Sequence, residues 1–166
     1  MEEVNFSIKL ENLAHAYQRA SVHLINSYKK TQDLAILIPA IFCSKHAMEL
    51  YLKALLNELG VSQFHHNQKK LFAILDKELS TKKPFIKKHQ KHLDTLKTIV
   101  SDYGNNKVGG IFVTLPEDFE NTNFRYIKKN VGWVNDLRKI DPFLFQKELK
   151  DLKQCAMILC ALARMN

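Results

Sequence analysis

The segment SKHAMELYLKALL, residues 44–56, is apolar nearly all the way round a helix. Ala47, Met48, Leu50, Tyr51, Leu52, Ala54, Leu55 and Leu56 cover most of its circumference, and a helix that is hydrophobic on every side has to be buried on every side. A chain that carries such a segment needs enough other elements to surround it, so this is expected to be the central helix of a bundle. The same segment contains a polar line. His46, Glu49, Lys53 and Asn57 follow one another at steps of three and four residues, with Glu49 ahead of Lys53 in the favourable order. Left in solvent, that line is a seam with one ion pair worth about 0.3–0.5 kcal/mol. Facing a groove, Glu49 and Lys53 can instead hold an arginine or a phosphate.

The surrounding elements read as helices too. Over residues 8–30, Leu10, Leu13, Ala14, Tyr17, Ser21, Leu24 and Tyr28 recur at helical spacing. Asp33 is placed to cap the second helix, which runs to Gly60, and Pro39 inside it predicts a kink or a late start. Residues 67–79 predict a short third helix and 84–101 a fourth, which begins at Pro84 and presents Phe85, His89, Leu93, Leu96 and Val100. Asp141 and Pro142 are a cap and a first-turn proline for a last helix to residue 164, with Phe145, Leu149, Leu152, Ala156 and Leu159 at heptad-like steps. Between residues 101 and 135 no helical period survives and four of the five glycines collect. There IFVTL and FRYI suit edge strands or a small hairpin, with VGGIF as a turn leading into a strand. The expectation is one all-α domain over residues 1–166, an up-and-down bundle of four to five helices with one long loop carrying a short β-hairpin. Leu13, Tyr17, Leu24, Leu50, Leu52, Leu55, Leu71, Leu93, Leu96, Leu149, Leu152 and Leu159 are expected in its core.

Every apolar run is interrupted by Lys, His, Glu or Gln within about a dozen residues, short of bilayer length, and MEEVNFSIKLENL lacks the basic start of a signal peptide. A cytoplasmic chain is expected. Cys43, Cys155 and Cys160 form no C-x-x-C pair and sit in apolar runs, so they read as reduced, packed side chains. With 25 Lys plus Arg against 17 Asp plus Glu the net charge is +8, which favours RNA, DNA or nucleotides as partners. KKPFIKKHQKH, residues 82–92, concentrates that charge, and Lys87, Lys88 and Lys91 are the candidate phosphate-binding face. His65–His66 and His89 with His92 have no Cys, Asp or Glu at a metal-site spacing, so neither a metal nor a cofactor is expected.

HAMELYLKALLNELG followed by HNQKKLFAIL resembles the HEPN superfamily (higher eukaryotes and prokaryotes nucleotide-binding), whose second helix carries a similar His-Ala-x-Glu-Leu-x-Leu-Lys-Ala run. His66, at the start of the next helix, and the Arg-Tyr pair of FRYIKKN, residues 124–130, extend the resemblance. It implies a helical bundle that dimerises. It also implies either a metal-independent endoribonuclease of toxin-antitoxin or antiphage type, with a cognate antitoxin as partner, or a module that binds RNA, nucleotide or a partner protein. The ribonuclease motif of such proteins is an Arg, four to six residues, then His. Carried onto this chain the Arg is Arg125, and the shortest form of the motif reaches Asn130 in place of His. Asn hydrogen-bonds but transfers no proton near neutral pH, so acid–base cleavage at Arg125 requires a His from elsewhere, His46 or His66. The candidate catalytic residues are therefore Arg125, His46 and His66, and the candidate binding residues Glu49, Lys53, Tyr126, Asn130, Lys87, Lys88 and Lys91. Because a buried carboxylate is costly without a cation, Arg125 is expected to fold over the second helix and pair with Glu49, Tyr126 packing beside it.

Overall fold

A computed structural model of the chain describes residues 2–62, 65–81, 83–113 and 136–165, with backbone alone for 2–5 and 83–87. Helix α1 (Glu2–Thr31) ends where Gln32 turns to φ +56°, and Lys29 and Lys30 sit in its last turn, the negative end of the helix dipole. The Asp33 side chain accepts from the Ala35 amide at 3.0 Å and opens a 3-10 turn, Leu34–Ile36, which runs into α2 (Leu37–Glu58). Pro39 thus falls in the first turn of α2, where a missing amide hydrogen costs nothing, and marks a late start rather than a kink.

Between Ala47 and Leu56 every residue of α2 except Lys53 is buried, as its composition requires. Leu34–Glu58 is long and apolar enough to match a bilayer span, which corrects the sequence expectation that no run approaches that length. Most of that segment is buried inside the bundle, so its apolarity is met by α1, α3 and α5. Helix α3 (Gln68–Ser80) is capped by Asn67, whose side chain accepts from the Lys70 amide at 3.1 Å, and it buries Leu71, Phe72, Leu75 and Leu79. Helix α4 (Lys83–Gly104) is bent at His89, where φ −131° and ψ 20° leave the helical region. Helix α5 (Pro142–Met165) is capped by Asp141, which accepts from the Phe143 and Leu144 amides.

Packing closes α2, α3, α4 and α5 into a ring, each touching the next, with α1 laid along α2 and α5. The outcome is the expected all-α up-and-down bundle. Of the residues expected in the core, Leu13 is corrected: it is 47% exposed, while Tyr17 and Leu24 are only partly covered. Helix α1 turns a different edge to the core, Ser7, Ala14, Gln18, Ser21, Ile25 and Tyr28. Its small residues let α1 close on α2, and Ser21 Oγ donates to the Ala40 carbonyl at 2.7 Å.

The hairpin is present, but its strands are β1 (Lys107–Val108) and β2 (Ile111–Phe112), antiparallel with Val108 opposite Ile111. Of IFVTL, Ile111 and Phe112 take part and Val113 does not, while its last two residues and FRYI lie outside the described residues. Gly109 and Gly110 have φ +56° and +81°, the positive pair that a two-residue primed turn demands. A Cβ on Gly109 would also stand 2.7 Å from Ile140 Cγ2, so the turn is seated directly on the approach to α5. Glu148 of α5 accepts from the Gly109 amide at 3.0 Å and fastens it there.

Candidate functional site

Four polar side chains meet on the outer edge of α2. Glu49 is only 7% exposed. One turn on, Lys53 Nζ donates to Glu49 Oε1 at 2.7 Å, and from the loop before α3 His66 Nδ1 reaches the same oxygen at 2.9 Å. A carboxylate can only accept, so the proton on His66 lies on Nδ1. His46 Nδ1 is 3.9 Å from Glu49 Oε2. The polar line of α2 is therefore not a solvated seam: the Glu49 and Lys53 side chains are 9% and 14% exposed, beneath a His66 that is 82% exposed.

Local structure explains how His66 arrives. Gly60, at φ +76°, turns the chain out of α2. Asn67 then caps α3, and Gln68 Nε2 donates to the Lys45 carbonyl at 2.8 Å, clipping the start of α3 to α2 one turn before Glu49. His46 is fixed by rings, Tyr17 of α1 edge-on at 4.5 Å and Phe42 stacked at 5.8 Å. Burial lowers the His46 pKa below its ordinary value; Lys53 and His66 add to that and Glu49 opposes it. Burial lowers His15 in the same direction, with help from Lys153 and Arg19. Both imidazoles are thus neutral at pH 7. The unfolded chain takes up protons at these positions below about pH 6.5, which the folded chain refuses, so their contribution to stability is lost as the pH falls. NMR titration is expected to place His15 and His46 below 6.5. The double variant His15→Asn with His46→Asn should flatten the fall in urea midpoint between pH 7 and pH 5.

Of the other candidates, Lys88 and Lys91 are exposed on α4, which packs on α3 and α5, and no hydrogen bond or ion pair among the described residues joins them to the Glu49 cluster. The Lys87 side chain, and Arg125, Tyr126 and Asn130 with the expected Arg125–Glu49 pair, lie outside what is described. No group of three His, Cys, Asp or Glu among the described residues is placed to hold a metal ion. The cysteines are free, with Cys155 and Cys160 buried and Cys43 half-buried, and burial pushes the Cys160 thiol up to about 12, which makes it a poor nucleophile.

Two polar clusters have no sequence signature. Arg164 near the end of α5 donates to Glu58 of α2 at 2.6 Å and to Glu11 of α1 at 2.5 Å, and Ser7 Oγ also donates to Glu58. This clamp ties three helix ends together across a separation of more than a hundred residues, which no local pattern announces. The second cluster joins α4, α5 and the hairpin. Tyr103 is fully buried beside Glu148 and Ser44, and burial raises its pKa well above the ordinary value, with Glu148 adding to it.

In comparison with known proteins the chain matches the family described as HEPN domain over residues 15–122. That span is more than half of the chain and holds His46, Glu49, Lys53 and His66, while Arg125, Tyr126 and Asn130 fall beyond it. No curated protein and no solved structure matches the chain.

Proposed function

The chain belongs to the HEPN domain family, and on that premise we propose that it is a cytoplasmic, dimeric helical module that binds RNA, a nucleotide or a partner protein without cleaving it. The Glu49 cluster carries this reading. Lys53 and His66 each direct one hydrogen bond to the same carboxylate oxygen, so the His66 Nδ1 proton is engaged in holding Glu49, and Lys53 keeps further N–H donors that can bind an anion. In sequence, Arg125 is followed by Asn130 where the family's ribonucleases carry their His, and Asn moves no proton. Arg125 and Tyr126 are proposed to lie over this cluster, Arg125 toward Glu49 Oε2, with Asn130 and the lysines Lys87, Lys88 and Lys91 as further anion contacts. Such contacts give salt-dependent binding with no base readout.

Fluorescence anisotropy with a labelled single-stranded RNA tests this. Binding is expected to weaken steeply with salt, and Lys88→Glu with Lys91→Glu to weaken it by about tenfold. The RNA should be recovered intact, and light scattering should give twice the 19.3 kDa chain mass. A mass near that of one chain, or salt-insensitive binding, overturns the corresponding part.

One observation favours a second reading, an endoribonuclease of toxin or antiphage type paired with a cognate antitoxin. His46 and His66 flank one carboxylate, and His46 is neutral at pH 7, as a general base must be. Cleavage of RNA in EDTA, lost in Arg125→Ala and in either His46→Ala or His66→Ala, selects this reading over the first.

A further inference from the structure

Helix α1 carries a second apolar edge that the bundle covers only in part. Beside the buried edge, Phe6, Leu10, Leu13, Tyr17, Ala20 and Leu24 alternate steps of four and three, the 3.5-residue repeat of a coiled-coil seam. Phe6 and Leu13 are 53% and 47% exposed, Ala20 is exposed, and Leu10, Tyr17 and Leu24 are only partly covered. The stripe runs about 27 Å along the helix. Its open flank repeats at seven residues as Lys9, Ala16, His23 and Lys30, all exposed, with exposed Arg19 beyond. The carboxylate nearest in sequence, Glu11, is held by Arg164. On the other flank Tyr17 meets His46, and Glu49 is held by Lys53 and His66.

We propose that this stripe is a docking surface for an acidic amphipathic helix of a partner protein, with branched aliphatic residues at the seam and Glu or Asp on its flanks. Charge selects this occupant. A second copy packed α1 against α1 sets the row with Lys9 and Lys30 against its own image, and like charges disfavour pairing. A lipid surface needs an apolar face that sinks about 5–10 Å, whereas Leu10, Tyr17 and Leu24 already lean on the core and leave a narrow seam. An acidic helix satisfies both features, since the seam fills its holes and its flanking carboxylates meet Lys9 and Lys30.

The test uses the full chain and two designed 24-residue helical peptides with leucine at every seam position, one with Glu and one with Lys on the flanks. Anisotropy is expected to show the Glu peptide binding at least tenfold more tightly than the Lys peptide, and more tightly than a scrambled Glu peptide without the seam. Leu13→Gln, an exposed change that leaves the circular dichroism spectrum intact, should weaken the Glu peptide about tenfold. Lys9→Glu with Lys30→Glu should move the preference toward the Lys peptide. Equal binding of the Glu and scrambled peptides, or indifference to Leu13→Gln, overturns the proposal. So does flotation with phosphatidylserine vesicles that is lost in Leu13→Gln, which assigns the stripe to a membrane, or a dimer that Leu13→Gln converts to a monomer.

Discussion

Glu49→Ala is expected to lower the unfolding free energy by about 2–4 kcal/mol, several times the value of an exposed helix pair. The carboxylate is nearly buried and receives both Lys53 and His66. Removing it leaves the Lys53 ammonium in a side chain only 14% exposed with no partner to replace water. Lys53→Met should cost less, because Glu49 keeps His66. Glu49→Leu together with Lys53→Met should return to within about 1 kcal/mol of the natural chain, since an apolar pair of similar volume removes both charges from a poorly solvated edge. Urea unfolding at pH 7 measures all three, and a loss below about 0.5 kcal/mol for Glu49→Ala would return the pair to the class of solvated surface contacts. A double-mutant cycle of Arg125→Ala with Glu49→Gln extends the same measurement to the Arg125 pairing; zero coupling removes it.

Phe145→Ala is expected to cost about 3–5 kcal/mol and to lower the melting temperature by about 10 °C. Phe145 is fully buried in the first turns of α5 and meets the Tyr103 ring of α4 edge-on at 6.4 Å. Truncation opens a cavity where α4, α5 and the hairpin converge, beside Tyr103 and Glu148, whose hydrogen bond to Gly109 fastens the turn. Phe143, two residues earlier, is the control. It is 71% exposed, its ring lies 3.8 Å from Lys29 Nζ, and Phe143→Ala should cost about 1 kcal/mol or less. Equal losses for the two variants in a thermal melt would contradict the packing described for α5.

These two residues also show how unevenly the site and the core can be read from sequence. Phe145 belongs to a heptad-like series behind a clear Asp-Pro cap, and the structure buries it. The polar line of α2 was equally visible, because three- and four-residue steps put His46, Glu49 and Lys53 on one edge whatever surrounds the helix. The ligand that closes the cluster was not visible as such. His66 reaches Glu49 across a turn, and Gln68 and Asn67, which hold it there, are ordinary loop and cap residues until the fold joins them. In α1, two edges of apolar and small residues lie side by side, and periodicity alone merges them. The bundle buries the one with Ala14 and Ser21 because close approach to α2, where Ser21 Oγ donates to the Ala40 carbonyl, favours small side chains, leaving Leu13 outside.

By itself the sequence determined a helical bundle with α2 at its centre, since a helix apolar on every side has no other stable place in a chain this size. It also determined where α3 and α5 start, because Asn67 and Asp141 cap through bonds only two or three residues long, whereas Asp33, expected to cap α2, caps the 3-10 turn ahead of it. Only the tertiary structure decided which edge of α1 is buried, that Arg164 clamps Glu11 and Glu58, and that Glu49 is shared by Lys53 and His66. Apart from the Glu49–Lys53 pair, each of those joins groups on different elements, whose meeting is set by how whole helices pack, and a local pattern holds no record of that.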